Sequence, residues 1–300
     1  MELRQLKYFA KLAETLNFSD AARQLFISQS TLSQQIKQLE QELNTQLFQR
    51  DNHKVTLTEP GREMLPCALH TLHSAETCVD RVRDLQELLV GTLNIGVTYT
   101  FSPILTETLL DFMRQYPKVK LNICYKPMEE LMDMLREQKV DFVLAFKPTQ
   151  SYDDIESHIL FDNHLSVIVS QGHPMAYMDR VTLEDLHLFE WALPSKGLQA
   201  RNAWEQALTN TILHLRVRIE LNEVQILLKL IKQSKLATIL SEASTHDETG
   251  IKSIPLDIPG SEMAGCVHLL KSAYRKHSAL RFISMLSESN AIRERVRDWM

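Results

Sequence analysis

Residues 17–42 read NFSDAARQLFISQSTLSQQIKQLEQE, and this stretch decides the architecture. It divides into two short helices joined by a tight turn. Ser19 is placed to cap the first, with Asp20 set favourably against its dipole. Ala21, Ala22 and Leu25 give that helix a small-residue face that admits a close neighbour. Ser28 is placed to cap the second helix. There Leu32, Ile36, Leu39 and Leu43 recur at spacings of four, three and four, an apolar stripe that faces a core. The opposite face carries Gln29, Ser30, Thr31, Ser33, Gln34 and Lys37. Amides and hydroxyls are directional donors and acceptors, the groups that read base edges in a DNA major groove. An ordinary amphipathic helix with a polar exterior shows the same stripe, so this helix alone leaves both readings open.

Upstream, Leu3, Leu6, Phe9, Leu12, Ala13 and Leu16 mark a helix over residues 2–16 that packs on this pair. Downstream, Asn44 stops the second helix, and Leu47 and Phe48 supply a buried anchor. Asp51-Asn52-His53 is a turn signal between two short strands, Gln46–Arg50 and Lys54–Leu57. Three helices and a two-stranded wing make a winged helix-turn-helix over residues 1–58. Arg50 and Lys54 flank the turn, in reach of phosphates beside a groove. Thr58 then caps a long helix, with Glu59, Pro60 and Gly61 in its first turn. In this linker, residues 59–90, Leu65, Leu72 and Val79 lie seven apart, as do Ala68, Ala75, Val82 and Leu89. The heptad seam, with Pro66 inside it and Gln86 interrupting it, predicts a dimerisation arm centred on Leu65, Leu72, Val79 and Val82.

From Gly91 the texture changes. Strands are expected at 92–97, 118–125 and 141–146, alternating with helices at 102–116 and 128–138. Near-continuous apolar strands between helices imply a parallel sheet covered on both faces. Two further strands follow at 155–161 and 164–170, after which a second strand–helix alternation runs from Phe189 to Leu240. A last strand at 265–271 precedes helices at 276–289 and 291–299. Residues 91–300 thus form two α/β lobes, the first about 91–162 and 266–300, the second about 163–265, with a cleft between them. Ligands of such sheets sit beyond the carboxyl ends of strands, often at helix N-termini.

The 300 residues are 44% hydrophobic and 24% charged, with a net charge of -5. This is the composition of a globular α+β multidomain protein. No apolar run is long enough to span a membrane, and the charged, helix-periodic N-terminus predicts a cytoplasmic protein rather than a secreted one. Residues 1–90 hold ten Lys/Arg against twelve Asp/Glu, whereas nucleic-acid binders usually carry a basic domain. Any DNA contact must therefore rest on a few placed cations, multiplied by oligomerisation. Cys67, Cys78, Cys124 and Cys266 are too widely spaced for a disulfide framework or zinc finger. Cys67, His70 and His73 share a helix at metal-ligand spacing, but surface histidines beside a seam explain them, and no metal or cofactor is expected. No phosphate-binding glycine motif, nucleophile elbow or HExxH is present, so no enzyme is expected. Residues 1–58 argue equally against a plain solute-binding module.

With these pieces in place, the sequence resembles the LysR-type transcriptional regulators over essentially its full length. The likeness is carried by LRQLKYFAKLAETLNFSDAARQLFISQSTLSQQIKQLEQELNTQLFQR and VTLTEPG. The resemblance implies an effector domain related to periplasmic solute-binding proteins. It also implies a homodimer or tetramer of two dimers, double-stranded DNA with dyad symmetry, and RNA polymerase at the promoter. A small-molecule co-inducer would bind in the cleft and alter DNA bending. The segments matching the family's cleft hold Thr98, Tyr99, Thr100 and Ser102; Pro127 and Met128; Phe146, Lys147 and Pro148; Pro194, Ser195 and Arg201; and Asn222 with Glu223. A peroxide-sensing member needs a cysteine pair in the second lobe, and none lies between Cys124 and Cys266. Two departures stand out: Ser30 and Gln34 occupy positions where the family often has proline and arginine. An amide pairs bidentately with adenine and a guanidinium with guanine. Binding-site selection should therefore show adenine preferred at the base facing Gln34 and guanine after Gln34→Arg; an unchanged preference would refute this.

Overall fold

The computed structural model describes residues 1–51, 54–85, 89–148, 151–208, 213–245, 248–290 and 292–293. The turn at Asn52-His53, the seam interruption at Gln86 and most of the expected helix at 291–299 lie outside them. The chain divides into two compact units, Met1–Glu87 and Leu88–Met300.

The first unit comprises α1 (Leu3–Thr15), α2 (Phe18–Gln24), α3 (Gln29–Glu42), the strands β1 (Phe48–Asp51) and β2 (Lys54–Leu57), and α4 (Glu59–Leu85). The stripe on α3 is buried at Leu32, Ile36 and Leu39, whereas Leu43 ends the helix and stays 39% exposed. Ala21 and Ala22 are fully covered, as the close approach of α2 requires. The cap of α2 is Asn17, not Ser19: the Asn17 side chain accepts from the Ser19 and Asp20 amides at 2.9 and 3.1 Å. The helix starts two residues earlier than expected, and its first residue, Phe18, packs against the core. Ser28 caps α3 as expected, accepting from the Thr31 amide at 3.1 Å. Phe9 and Phe48 rings meet at 5.5 Å and join the helices to the wing, whose strands pair antiparallel from Phe48↔Leu57 to Asp51↔Lys54. Thr58 Oγ1 accepts from the Gly61 amide and donates to the Gln46 carbonyl. A Cβ on Gly61 would stand 2.2 Å from the Leu47 carbonyl oxygen, so only glycine lets α4 start this close to the wing.

The seam of α4 is divided between two tasks. Ala68 is buried, and Leu65 and Leu72 pack beside it on the core of their own unit. Val79 and Val82 remain 49% and 56% exposed. The first two turns of the expected dimer arm are thus consumed within the chain, because α1 offers them an apolar partner.

The second unit contains β3 (Gly91–Val97), α5 (Ser102–Gln115), β4 (Val119–Tyr125), α6 (Met128–Arg136), β5 (Phe142–Phe146) and β6 (Ile155–Ser170). There follow α7 (Leu183–Leu186), β7 (Glu190–Pro194), α8 (Gln199–Ala207), β8 (Arg216–Leu221), α9 (Val224–Lys232), β9 (Thr238–Ser241), β10 (Ile251–Pro255), β11 (Glu262–Leu270) and α10 (His277–Glu288). The main sheet has the order β10-β6-β11-β5-β3-β4, with β9 also on β6. Strands β4, β3 and β5 are parallel, as expected. A parallel pair β7–β8 is tied by a Trp191↔Ala237 bridge to the chain entering β9. One face of the first lobe is covered by α5 and α10, where the Phe282 ring meets Phe112 of α5 and Phe142 of β5 in tilted contacts at 5.1 and 5.8 Å. The other is covered by α6 through Leu131, Met132 and Leu135.

The strands expected at 155–161 and 164–170 are one. Up to His164, β6 pairs with β11; from Leu165 it pairs with β9, and from Ser166 with β10. The partner changes while the strand continues, which a sequence pattern does not reveal. His268 sits fully buried in β11, with Nδ1 at 2.8 Å from Ser157 Oγ and Nε2 at 3.3 Å from the Ala145 carbonyl. Burial lowers its pKa from 6.5 to about 4. Between those values the unfolded chain binds a proton that the folded ring refuses, so stability present above pH 6.5 is lost as the pH falls toward 4. Melting curves of His268→Gln should lose stability less steeply than wild type across that window; parallel curves would contradict the assignment.

Candidate functional site

Two sites emerge, one in each unit. On the first, Ser28, Gln29, Ser30, Thr31, Gln34 and Lys37 are exposed along one face of α3, and Ser33 is half-buried. Ser28 Oγ lies 2.8 Å from Ser30 Oγ and 2.7 Å from Thr31 Oγ1, and Gln29 accepts from Ser19 Oγ at 3.2 Å. These bonds hold the start of the reading helix in a fixed arrangement, while Gln34 and Lys37 are exposed and make no side-chain bond among the described residues. Lys54 is exposed at the start of β2. Arg50 stays exposed, as a phosphate contact requires, while its guanidinium is also held by neighbours. Its guanidinium lies 4.6 Å over the Phe18 ring, 3.4 Å from Ser33 Oγ and 3.6 Å from Glu40 Oε2. Glu40 serves both: its Oε1 accepts from the Leu47 and Phe48 amides at 2.9 and 3.2 Å, clamping the wing to α3, and its Oε2 faces the Arg50 guanidinium. A glutamate on a polar helix reads as solvated, so residue type and spacing carry no signal for this.

In the second unit, a cleft of about 870 Å³ opens beside the ends of β5 and β11. Met128, Phe146, Lys147, Asn163, Gln199 and Met263 line it. It adjoins a narrow apolar slot bounded by Tyr99, Pro127, Pro194, Leu198, Val224 and Leu240, with Thr98 at its edge. Thr98 is buried and its hydroxyl donates to the Leu144 carbonyl at 3.4 Å, while Tyr99 stacks on Tyr125 at 5.8 Å. The side chains of Thr100 and Ser102 lie outside the described part of the structure. Asn163 Nδ2 is buried without a hydrogen-bond partner among the described residues, an arrangement natural proteins rarely keep without a ligand or water to meet it.

Residues 3–62 match the family model described as bacterial regulatory helix-turn-helix protein, lysR family, and residues 86–291 match the LysR substrate binding domain. The chain belongs to the LysR family. It is a DNA-binding transcriptional regulator and not an enzyme, in line with its curated relatives. It is 30% identical over 245 residues to the transcriptional regulator BsdA of Bacillus subtilis, covering 80% of this chain and 83% of that protein. It is 28% identical over 220 residues to the transcriptional activator CmpR of Synechocystis, 73% of this chain and 72% of that one. Full-length CbnR in complex with its target DNA superposes with a TM-score of 0.69 at 20% identity, covering 98% of this chain and 99% of that one. A full-length OxyR variant of Pseudomonas aeruginosa gives 0.69 at 24%, covering 98% and 95%. At these identities the two structures show the fold alone.

Within this LysR-family chain two of the expected effector contacts stand elsewhere. Arg201 is buried in the second lobe, where it binds Glu205 at 2.8 Å, Glu220 at 3.0 Å and the Pro194 carbonyl at 3.2 Å. The helix begins at Gln199, so Gln199 faces the cleft and Arg201, two residues on, is turned by ~200°. Asn222 is exposed ahead of Glu223, which caps α9 through the Gln225 and Ile226 amides. Neither residue lines the cleft. Gln199, Asn163 and Met263 are among the cleft residues that sequence reasoning missed. An N-terminal position on a helix after a strand was a usable signal for Gln199; Asn163, in mid-strand, gave none. Burial pushes the Cys266 thiol up to about 11 and raises Cys124 as well, so both stay protonated thiols.

Replacing Glu40 by alanine strips two buried amides of their acceptor, which costs about 1–3 kcal/mol. Denaturant unfolding should show Glu40→Ala destabilised and DNA affinity reduced, with Glu40→Gln, which keeps one acceptor oxygen, closer to wild type. Equal stability of all three would rule out the clamp.

Proposed function

We propose that this LysR-family regulator binds a dyad-symmetric DNA site as a homodimer or a tetramer built from dimers, working in the cytoplasm. A small molecule held between the lobes of residues 91–300 resets its engagement of DNA and of RNA polymerase. The observation that carries this reading is the cleft of about 870 Å³, lined by Asn163 with its buried, unpartnered amide donor, in a chain that also carries a helix-turn-helix. Lys147, Met128 and Phe146 supply a cation, a soft apolar surface and an aromatic wall, which suits a compact ligand with polar and apolar parts. Neither a metal nor a redox cofactor enters the scheme.

The reading surface supports a dependence on pairing. Lys37 and Lys54 have no ion-pair partner among the described residues, whereas Arg4, Lys11, Arg23 and Arg50 are each paired with an acidic side chain. So few free cations give weak binding per subunit, since phosphate neutralisation supplies most of the affinity. Two subunits presented together multiply it. Val79 and Val82, exposed on the free half of α4, are the residues for the pairing contact.

The experiment is a mobility shift on DNA upstream of the gene, combined with a thermal-shift screen of small molecules, since a ligand at 100 times its Kd stabilises by about 2.7 kcal/mol. The double variant Val79→Glu, Val82→Glu should sediment as a monomer and lose specific DNA binding while its thermal stability holds. A dimer that persists, or a monomer that binds as tightly as wild type, would overturn the proposed pairing. Failure to shift any dyad-containing DNA at low salt, with or without ligands, would overturn the operator proposal.

A further inference from the structure

The end of β5 presents a backbone problem that one side chain solves. Backbone groups alternate sides along a strand. The Leu144 carbonyl accepts from the Thr98 amide at 3.0 Å, so this position addresses β3; the Lys147 amide donates to the Ala264 carbonyl at 2.7 Å, so that one addresses β11. Phe146, two residues beyond Leu144, therefore turns its N–H and C=O toward β3. But β3 ends at Val97, and the chain leaves through a short 3-10 turn at Tyr99–Phe101. On that side no strand among the described residues meets Phe146, which is 1% exposed, and buried backbone groups are costly to leave unpaired.

Gln199, the first residue of α8 in the second lobe, takes the vacant place. Its Oε1 accepts from the Phe146 amide at 3.1 Å, and its Nε2 donates to the Phe146 carbonyl at 3.0 Å and meets Met128 Sδ at 2.8 Å. One carboxamide thus reproduces the donor–acceptor pair of the missing strand and reaches across from lobe to lobe. It borders both the apolar slot and the wide cleft. Asn163, 4% exposed, is among the residues lining that same cleft, and its buried Nδ2 has no hydrogen-bond partner among the described residues. The place is built for an amide edge, with a further buried donor left for a second acceptor.

We infer that Gln199 is a resident occupant of an amide-recognition slot, and that the effector carries a primary carboxamide, lactam or ureide edge which replaces Gln199 on Phe146. The inference rests on the effector reading above and gives that ligand its chemical class. A carboxylate accepts from the Phe146 amide but opposes the adjacent carbonyl oxygen, so it matches half of the slot. Replacement breaks the Gln199 bonds between β5 and α8 and frees the two lobes to change their spacing.

The test uses the full-length protein with propionamide and propionate as probes, in wild type, Gln199→Ala and Gln199→Met. Alanine empties the slot; methionine fills it with a side chain lacking the amide pair, and melting curves establish that both variants fold. Hydrogen exchange at the Phe146 amide should accelerate at least tenfold in both variants. Propionamide should restore protection in Gln199→Ala only, binding that variant at least tenfold tighter than wild type, and propionate should not. Unchanged exchange in folded variants, or restoration by propionate as strong as by propionamide, would overturn the inference. Restored protection with DNA mobility identical for every variant, with and without probe, would uphold the amide slot and instead overturn the effector reading.

Discussion

The second unit depends on a single strand that changes partners without breaking. Along β6 the hydrogen bonds pass from β11 to β9 and β10 within two residues, at His164–Ser166. Because backbone pairing is obligatory in the interior, this one segment commits both lobes to a common sheet. The same constraint sets the cleft. Strands β3 and β5 end at its edge, and the backbone groups that end unpaired there need partners from the opposite lobe or from a ligand. Interior packing reinforces the arrangement, since one apolar cluster runs from Leu93 and Phe142 through Val167 to Leu227 and Ile239.

The reading face obeys a different economy. Four of the ten Lys/Arg of residues 1–87 are neutralised locally, by Asp20, Glu2, Glu14 and Glu40. What α3 offers is therefore geometry more than charge: hydroxyls and amides held in a fixed constellation by Ser28 and by the wing. Contacts of this kind discriminate bases, while phosphate contacts mainly supply affinity. A reader built in this way is selective and weak as a single copy. The exposed half of α4 is the complement of that weakness.

The helix-turn-helix was legible because its signals are local. A stripe at helical spacing, a serine cap and alanines at a close crossing each act within a few residues, and Leu32, Ile36, Leu39 and Ser28 stand where the pattern put them. The lobes were legible for a similar reason, since apolar strands alternate with amphipathic helices. The less legible parts involve long-range partners. Glu40 looks solvated until the wing folds against it, Arg50 looks free until Phe18 and Glu40 are beside it, and Arg201 looks like a ligand contact until Glu220 arrives from β8. Strand β10 went unread because a five-residue segment ending in Pro255 carries little pattern of its own.

By itself the sequence determined the family, the order of the elements, the stripe that buries α3 and the polar face left outside, since all of these follow from residue type and spacing. Only the tertiary structure decided which polar side chains are free to act. A charged or amide group is spoken for as soon as a buried backbone group or an opposite charge comes within hydrogen-bond distance, and those partners lie many residues away. That is why Gln199, rather than Arg201, faces the cleft, and why Val79 and Val82, rather than Leu65 and Leu72, remain uncovered on α4.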